Sequence, residues 1–264
     1  MTRNGPLALS FHALVMLFML APLGVVCLVA FTPENTLSIP TSDFSLRWFK
    51  AFFQHSDLPS AFFNSIKLSS AAAILATCIA VPSAIAISRY EFPGRNFING
   101  LFLSPIIIPS LVLGIALLRF FSAVGGTGNF GWLILAHTIV ATPYTLRLIM
   151  AALIGYDKSI ENAAYSLGAS SWTVFRRIIL PIILPGIAGG FLLAFINSFD
   201  EVTMTIFVTS PSTITLPVRM YMYATDSIDP LMAAVATLNI LFTAIVMGLI
   251  DRIYGMEKLL VGKG

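Results

Sequence analysis

Residues 161–185 read ENAAYSLGASSWTVFRRIILPIILP, a polar and patterned insert between two very apolar stretches. Residues 157–167 can form about three turns of helix, and Gly168 permits the left-handed backbone with which many helices end. A few small and polar residues follow before the sequence becomes apolar again. The pattern predicts two short helices that meet at an angle near Gly168.

The second short helix is predicted to begin at a serine cap, Ser170 or Ser171, whose hydroxyl can accept a backbone N–H. Pro181 lacks a backbone donor, and Pro185 repeats this signal at the opening of the next long apolar helix. We refer to residues 155–181 as the central loop. Its apolar face can fill a groove on a soluble partner, or it can rest on the membrane surface as an amphipathic hairpin.

The rest of the chain has the composition of a membrane protein. It has 264 residues, of which 57% are hydrophobic and 10% charged, and its mean hydropathy is +0.90. A helix needs about 20 apolar residues to cross a bilayer, and the apolar runs here are continuous rather than alternating, which argues against strands. We predict an all-α integral membrane protein with a single domain, residues 1–264. Its six transmembrane helices are predicted at about residues 7–31, 62–87, 97–118, 130–154, 182–208 and 230–250.

The distribution of Lys and Arg predicts the orientation, because cytoplasmic loops carry an excess of these residues. With both termini inside, ten of the fifteen lie in inner segments and five in outer segments. The inner residues are Arg3, Arg89, Arg95, Arg147, Lys158, Arg176, Arg177, Arg252, Lys258 and Lys263. The outer residues are Arg47, Lys50, Lys67, Arg119 and Arg219. The net charge of +3 therefore reflects topology, and we expect no nucleic-acid partner.

The sequence offers no catalytic motif. The Gly-rich stretch at residues 125–129 follows no strand and opens no phosphate-binding helix, so it is not a nucleotide site. Cys27 and Cys78 both lie in predicted spans, where they are packing residues rather than a metal pair. We expect no catalytic residue, no metal and no cofactor bound by this chain.

The central loop resembles the signature loop of the permease subunits of bacterial ABC importers. That family's pattern begins with an acidic residue and two alanines, and a Gly follows four residues after the second alanine. After nine intervening residues come Ile, any residue, and Leu-Pro. The matching residues here are Ala163, Ala164, Gly168, Ile178, Leu180 and Pro181.

One position departs from that pattern, since Asn162 stands where the acid is expected and Glu161 is the nearest carboxylate. A contact that the family makes through this acid would shift to Glu161 or weaken. By this resemblance we predict that the loop couples the chain to an ATPase. The predicted coupling residues are Glu161, Asn162, Ala163, Ala164, Gly168, Ala169, Trp172, Phe175, Ile178, Leu180 and Pro181.

Further short motifs along the whole chain look like those of the spermidine/putrescine-type permeases. They are residues 44–48, 64–65, 105–109, 143–144, 198–201 and 215–218. The resemblance implies a type I importer permease in the bacterial cytoplasmic (inner) membrane. It also implies a second, non-identical permease subunit, two ATPase subunits that bind the ATP, and an extracytoplasmic solute-binding protein.

The same resemblance implies inward transport, by alternating access, of a polyamine or another small cationic amine. A permease for a different small solute, amino-acid-like, opine or phosphonate-type, is the alternative. A self-sufficient secondary transporter would need an internal inverted repeat, and none is evident. An intramembrane enzyme would need a set of reactive groups at one depth. Asp200 and His137 are the only candidates, and no spacing motif supports them.

Asp200 and Glu201 are the most conspicuous polar residues within the predicted spans. Carboxylates at such depth are costly, so they face a cavity or a partner. On a continuous fifth helix Asn197, Glu201, Met204 and Thr205 share one face, with Asp200 about 100° away from Glu201. The predicted solute path consists of Asn197, Asp200, Glu201 and Thr205. An acid here can attract a cationic solute, cap and orient helices, or pair with a base such as Arg147, Arg119 or Arg219.

The sequence leaves more than one role open for His137 and for residues 209–229. A lone intramembrane histidine such as His137 is typically a hydrogen-bonded packing residue, and a proton relay is the alternative. Residues 209–229 are predicted to lie outside. They form part of a gate, the footprint of the binding protein, or an ordered re-entrant loop.

Overall fold

A computed structural model of the protein describes residues 5–40, 43–154 and 156–254. Gly155 of the central loop and three residues used to predict the orientation, Arg3, Lys258 and Lys263, lie outside these ranges. Within them the structure has α-helices, one π-helical turn and no strand. The α-helices are α1 (Pro6–Val29), α2 (Arg47–Gln54), α3 (Leu58–Arg89), α4 (Arg95–Ile107), α5 (Ser110–Ala123), α6 (Phe130–Ile154), α7 (Ser159–Ser166), α8 (Ser171–Val174), α9 (Leu180–Phe199), α10 (Thr205–Val208), α11 (Leu216–Asp226) and α12 (Pro230–Tyr254).

Five helical stretches in the described ranges are long and apolar enough to cross a membrane. They are Pro6–Val29, Leu58–Arg89, Phe130–Ile154, Ser171–Phe199 and Pro230–Ile250. The pair α4 and α5 makes a sixth if it counts as one bent span. The all-helical prediction is thus confirmed, and the number of spans is five or six.

The predicted span at residues 97–118 is broken and not one straight helix. α4 ends at Ile107, α5 begins at Ser110, and their axes differ by 105°. Ile108 precedes a proline and is extended, with φ −75° and ψ 128°, as expected where a proline ring disfavours helical backbone. Pro109 then supplies no N–H to continue the helix.

The predicted span at residues 182–208 is shifted toward the N-terminus. α8, a π-helical turn at Phe175–Ile179 and α9 form one helical stretch that ends at Phe199. In a regular helix a proline ring clashes with the carbonyl group four residues earlier. For Pro181 that carbonyl belongs to Arg177, which lies in the π-helical turn, where the wider backbone leaves room for the ring. The second short helix of the central loop is therefore the beginning of this span.

The chain divides into two compact units. The first contains residues 1–60 and 219–244, and the second contains residues 61–218 and 245–264. In the first unit Arg47 anchors α2, because its Nη2 donates to Asn35 Oδ1 at 2.6 Å. Trp48 Nε1 donates to the carbonyl of Glu34 at 3.2 Å. The single membrane domain stays a prediction.

The second unit is organised around a close contact between α6 and α9. A Cβ atom added to Gly190 would lie 2.9 Å from the Cα of Thr145, and one added to Gly186 would lie 2.9 Å from the carbonyl oxygen of Leu148. Two glycines four residues apart let membrane helices approach at backbone distance. Thr145 Oγ1 also donates to the carbonyl oxygen of Gly190 at 3.0 Å.

A buried histidine adds a polar joint to this contact. His137 of α6 is 1% exposed. Its Nδ1 lies 2.8 Å from Ser198 Oγ in α9, and its Nε2 lies 3.0 Å from Thr205 Oγ1 in α10. A neutral imidazole has one donor and one acceptor nitrogen, and hydroxyls can serve both. The arrangement fits the predicted packing role of His137.

We expect Gly190→Ala to destabilise the protein by about 1–3 kcal/mol, the usual cost of overpacking. The added methyl group meets backbone at 2.9 Å, and backbone cannot move aside as a side chain can. The measurement is the unfolding midpoint of the purified protein in detergent. Gly100→Ala in α4 is the matched control, because a Cβ there meets nothing within 4 Å. Equal midpoints for the two variants would contradict the close contact.

We expect His137→Leu to lower the same unfolding midpoint, because it removes the partner of two hydroxyls. An unsatisfied buried polar group costs about 1–3 kcal/mol. Ser198→Ala should then cost less in the H137L background than in the wild type, since its hydroxyl has already lost its partner. A proton relay makes a different prediction, namely lost transport with an unchanged midpoint.

Candidate functional site

The central loop has the two short helices predicted for it. α7 ends at Ser166, and Gly168 has φ +82°. Ser170 Oγ accepts the backbone N–H of Thr173 at 3.3 Å and caps α8. Nothing lies within 4 Å of a Cβ built on Gly168, so the requirement for glycine comes from the backbone and not from crowding.

One side of the central loop packs on the membrane-spanning helices. Val174 and Ile179 are buried with residues of α3, α6 and α9 in one apolar cluster. Four of the predicted coupling residues pack against this cluster: Ala164, Ala169, Phe175 and Ile178. These four hold the loop in position, and their contacts explain the apolar spacing of the motif.

The other side of the central loop is apolar and exposed. Leu167 is 89% exposed and Trp172 is 67% exposed, and Ile160 and Tyr165 are also exposed. The Trp172 ring lies 5.4 Å from that of Phe175. The remaining coupling residues at the surface are Asn162, Ala163, Gly168 and Pro181, while Leu180 is half-buried. Large apolar side chains gathered on an otherwise polar loop are typical of a contact surface.

Glu161 turns inward and does not join this exposed face. Its Oε1 lies 3.0 Å from Nη2 of Arg89, the last residue of α3, and both side chains are nearly buried. The Arg89 guanidinium lies 5.2 Å from the centre of the Tyr156 ring, and Lys158 Nζ donates to the Arg89 carbonyl at 3.2 Å. Burial raises the pKa of the Tyr156 hydroxyl, and the charge of Glu161 adds to that effect.

The helical face predicted to be shared by Asn197, Glu201 and Thr205 is not formed. α9 ends at Phe199, Asp200 is its exposed C-cap, and the helix resumes only at Thr205. Glu201 Oε1 accepts the backbone N–H of Met204 at 2.7 Å, so Glu201 caps the turn before α10. Thr205 points to His137. The shared-face expectation was wrong because it assumed an unbroken helix.

Asn197 carries an unused acceptor beside this break. Its Oδ1 atom is buried and has no hydrogen-bond partner among the described residues. Arg219, one of the bases considered as a partner for an acid here, has its Nη2 3.4 Å from Asp57 Oδ2 within the first unit. Arg119 and Arg147 are exposed. In the described ranges no group of three or more His, Cys, Asp or Glu side chains is placed to hold a metal ion.

A contact that the sequence analysis did not assign lies at the start of α3. Asn64 Nδ2 donates to the carbonyls of Ser212 at 3.3 Å and Ile214 at 3.1 Å. Ser65 Oγ accepts the N–H of Leu216 at 2.8 Å. Residues 213–218 are buried. The adjacent pair Asn64-Ser65 in an apolar span was the signal, but its partner 150 residues away cannot be read from spacing.

Most of the chain is similar in sequence to permease subunits of bacterial transport systems. Residues 76–255 match the family described as binding-protein-dependent transport system inner membrane component. The spermidine/putrescine transport system permease protein PotC of Haemophilus influenzae is 32% identical, over 89% of this chain and 91% of its own. The putrescine transport system permease protein PotI of Escherichia coli K12 is 31% identical, over 84% of this chain and 81% of its own.

A solved structure shows the same fold. It is a bacterial ABC transporter involved in the import of the acidic polysaccharide alginate, with a TM-score of 0.74 at 14% identity, covering 93% of this chain and 94% of that chain. The predicted importer-permease fold is therefore confirmed. The protein is a multi-pass protein of the bacterial inner membrane, and it belongs to the family of inner membrane components of binding-protein-dependent transport systems.

Proposed function

We propose that this chain is one permease subunit of an ATP-driven importer of polyamines, such as putrescine and spermidine, or of a closely related small amine. The observation that carries the proposal is the match, over most of the chain, to permeases named for those solutes. The exposed apolar face of the central loop supports the coupling half of the proposal. A permease for another small solute is the second candidate, because the same fold occurs in an importer of alginate.

In this proposal the central loop lies in the cytoplasm, where ATPase subunits dock on it. The exposed side chains of Leu167 and Trp172 would fill an apolar groove on the ATPase, which binds the ATP. The excess of Lys and Arg in the segments on the same side of the membrane as the central loop supports that orientation. A second, non-identical permease and an extracytoplasmic binding protein complete the importer. ATP-driven movement of the loops would alternate the access of the path between the two sides.

The break after α9 is the proposed place of solute contact. A polyamine carries several positive charges, and in a medium of low dielectric each needs a counter-ion or hydrogen-bond acceptors. Asp200 and Glu201 supply two carboxylates, and Asn197 supplies an acceptor in its Oδ1, which has no hydrogen-bond partner in the described part of the chain. Glu201 uses Oε1 to cap Met204, and a carboxylate has a second oxygen with which to accept further hydrogen bonds.

The experiment that tests the proposal is ATPase activity of the reconstituted importer with its binding protein, purified through a tag on this chain. The solute panel is led by putrescine and spermidine. Stimulation by polyamines is the expected result. Stimulation by another class of solute would keep the permease assignment and overturn the polyamine assignment. Solute uptake by this chain alone would instead favour a self-sufficient transporter.

We expect Gly168→Asp to abolish coupled transport while leaving membrane insertion intact. The left-handed backbone at φ +82° is less favourable for Asp than for Gly, and the new charge would enter the docking face. The readouts are uptake and co-purification of the ATPase. Gly125→Asp is the matched control, since Gly125 has φ +72° and equally open surroundings in a different turn. Normal uptake by G168D would refute the coupling role.

We expect Glu201→Gln to reduce uptake of a polyamine roughly tenfold, as expected for a lost interaction of about 1.4 kcal/mol. A glutamine side chain keeps the oxygen that caps Met204 and removes only the charge, so the unfolding midpoint should not change. Unchanged affinity and rate of uptake would remove Glu201 from the path. Glu34→Gln, at a carboxylate that accepts hydrogen bonds from Thr36 and Ser38, is the control for loss of one negative charge.

A further inference from the structure

α3 connects the central loop to the segment 212–218, in which residues 213–218 are buried. It is one continuous helix of 32 residues that passes through Pro82 without interruption. Arg89, at its end, contacts the central loop, and Asn64, near its start, contacts the segment. At 1.5 Å per residue these two positions are about 37 Å apart along the helix. All of these contacts lie within the second unit.

The contact between the end of α3 and the central loop is specific and nearly buried. The Arg89 and Glu161 side chains are 10% and 6% exposed and lie 3.0 Å apart. Tyr156 lies against the guanidinium, and Lys158 binds the last carbonyl of α3. Separating the two charges would leave each uncompensated in a place with little water. The central loop therefore cannot shift away from the end of α3 without a large cost.

The opposite joint is made by hydrogen bonds to backbone. Asn64 and Ser65 together engage the carbonyls of Ser212 and Ile214 and the N–H of Leu216. Ser65 is 1% exposed and Leu216 is 1% exposed, so water does not compete for the bond between these two residues. A movement of α3 along its axis must consequently be followed by the segment.

We infer that α3 transmits movement of the central loop to the segment 212–218, and that Arg89 and Glu161 are the positioning residues at its driven end. The inference rests on the proposed function for the source of the movement, namely the ATPase cycle. It gives Glu161 a role inside this chain. A carboxylate that is 5% exposed and paired with Arg89 is poorly placed to contact a separate ATPase subunit, whereas its neighbour Asn162 is exposed.

The test measures the accessibility of the segment 212–218 in two states of the ATPase cycle. The complete importer is purified in nanodiscs with Cys27 and Cys78 of this chain replaced by Ser and with Ser212→Cys as a reporter. Ser212 is exposed, and Asn64 binds its backbone rather than its side chain. The rate at which a soluble maleimide labels this chain is measured without nucleotide and with ATP plus vanadate. We expect the two rates to differ at least threefold.

Glu161→Gln has nearly the same shape and removes only the charge, so it should reduce this ratio of rates to about one while the ATPase still co-purifies. Exchanging the charges, with Arg89→Glu and Glu161→Arg together, should restore at least half of the nucleotide-dependent change. Glu91→Gln is the matched control, since Glu91 is an exposed carboxylate two residues beyond α3. It should leave the ratio unchanged.

Three results would overturn the inference. The first is a full nucleotide-dependent change in E161Q with the ATPase bound, and the second is no change in the parent protein although ATP is hydrolysed. The third is loss of ATPase co-purification in E161Q, which would show that Glu161 contacts the ATPase instead. Failure of polyamines to stimulate hydrolysis, with the labelling change still present, would overturn the proposed solute and leave the role of α3 supported.

Discussion

Backbone-to-backbone contact between α6 and α9 is the constraint on which the second unit depends. In a bilayer, burial of apolar side chains contributes little to helix association, because lipid is as apolar as the side chains, and close packing has to supply the attraction. Gly186 and Gly190 permit that packing, and the hydrogen bond from Thr145 holds its alignment. His137 extends the contact beyond the end of α9 to α10. The positions of both the central loop and the break after α9 follow from this alignment.

The second unit contains two breaks in its helices, one between α4 and α5 and one after α9. Non-helical backbone is costly in lipid and persists only inside protein or beside a cavity. The break between α4 and α5 and the turn after Phe199 each leave backbone groups without helical partners. At the second of these Glu201 satisfies the N–H of Met204. A polar side chain there has a structural task even before any solute is considered.

Much of the architecture could be predicted from the sequence because long apolar runs report span positions directly. The spans near residues 7–31, 62–87, 130–154 and 230–250 correspond to α1, α3, α6 and α12. The helix, glycine turn and serine cap of the central loop were also visible, since each depends on residues close in sequence. The predicted third span is broken inside, and the predicted fifth span is shifted toward the N-terminus. Hydropathy does not register a proline bend at Pro109 or a helix that ends after Phe199.

The roles of individual polar residues were harder to predict, because they depend on contacts between distant segments. The pairing of Glu161 with Arg89 joins residues 72 positions apart, and that of His137 with Thr205 joins residues 68 apart. Nothing local distinguishes an inward Glu161 from an outward one beside Asn162. The solute path was predicted from a helical face that the chain does not form, and the contacts of Thr205 and Glu201 could not be read from the sequence.

The exposed face of the central loop has a consequence for the life of the chain before it is assembled. Leu167 and Trp172 are exposed on a polar loop, and exposed apolar surface on an unassembled subunit is a target for chaperones and proteases. A copy made in excess of its partners would display this surface continuously. The amount of the subunit in the cell would then be limited by the supply of its partners rather than by its own rate of synthesis. Exposure of the central loop would mark unassembled copies for degradation.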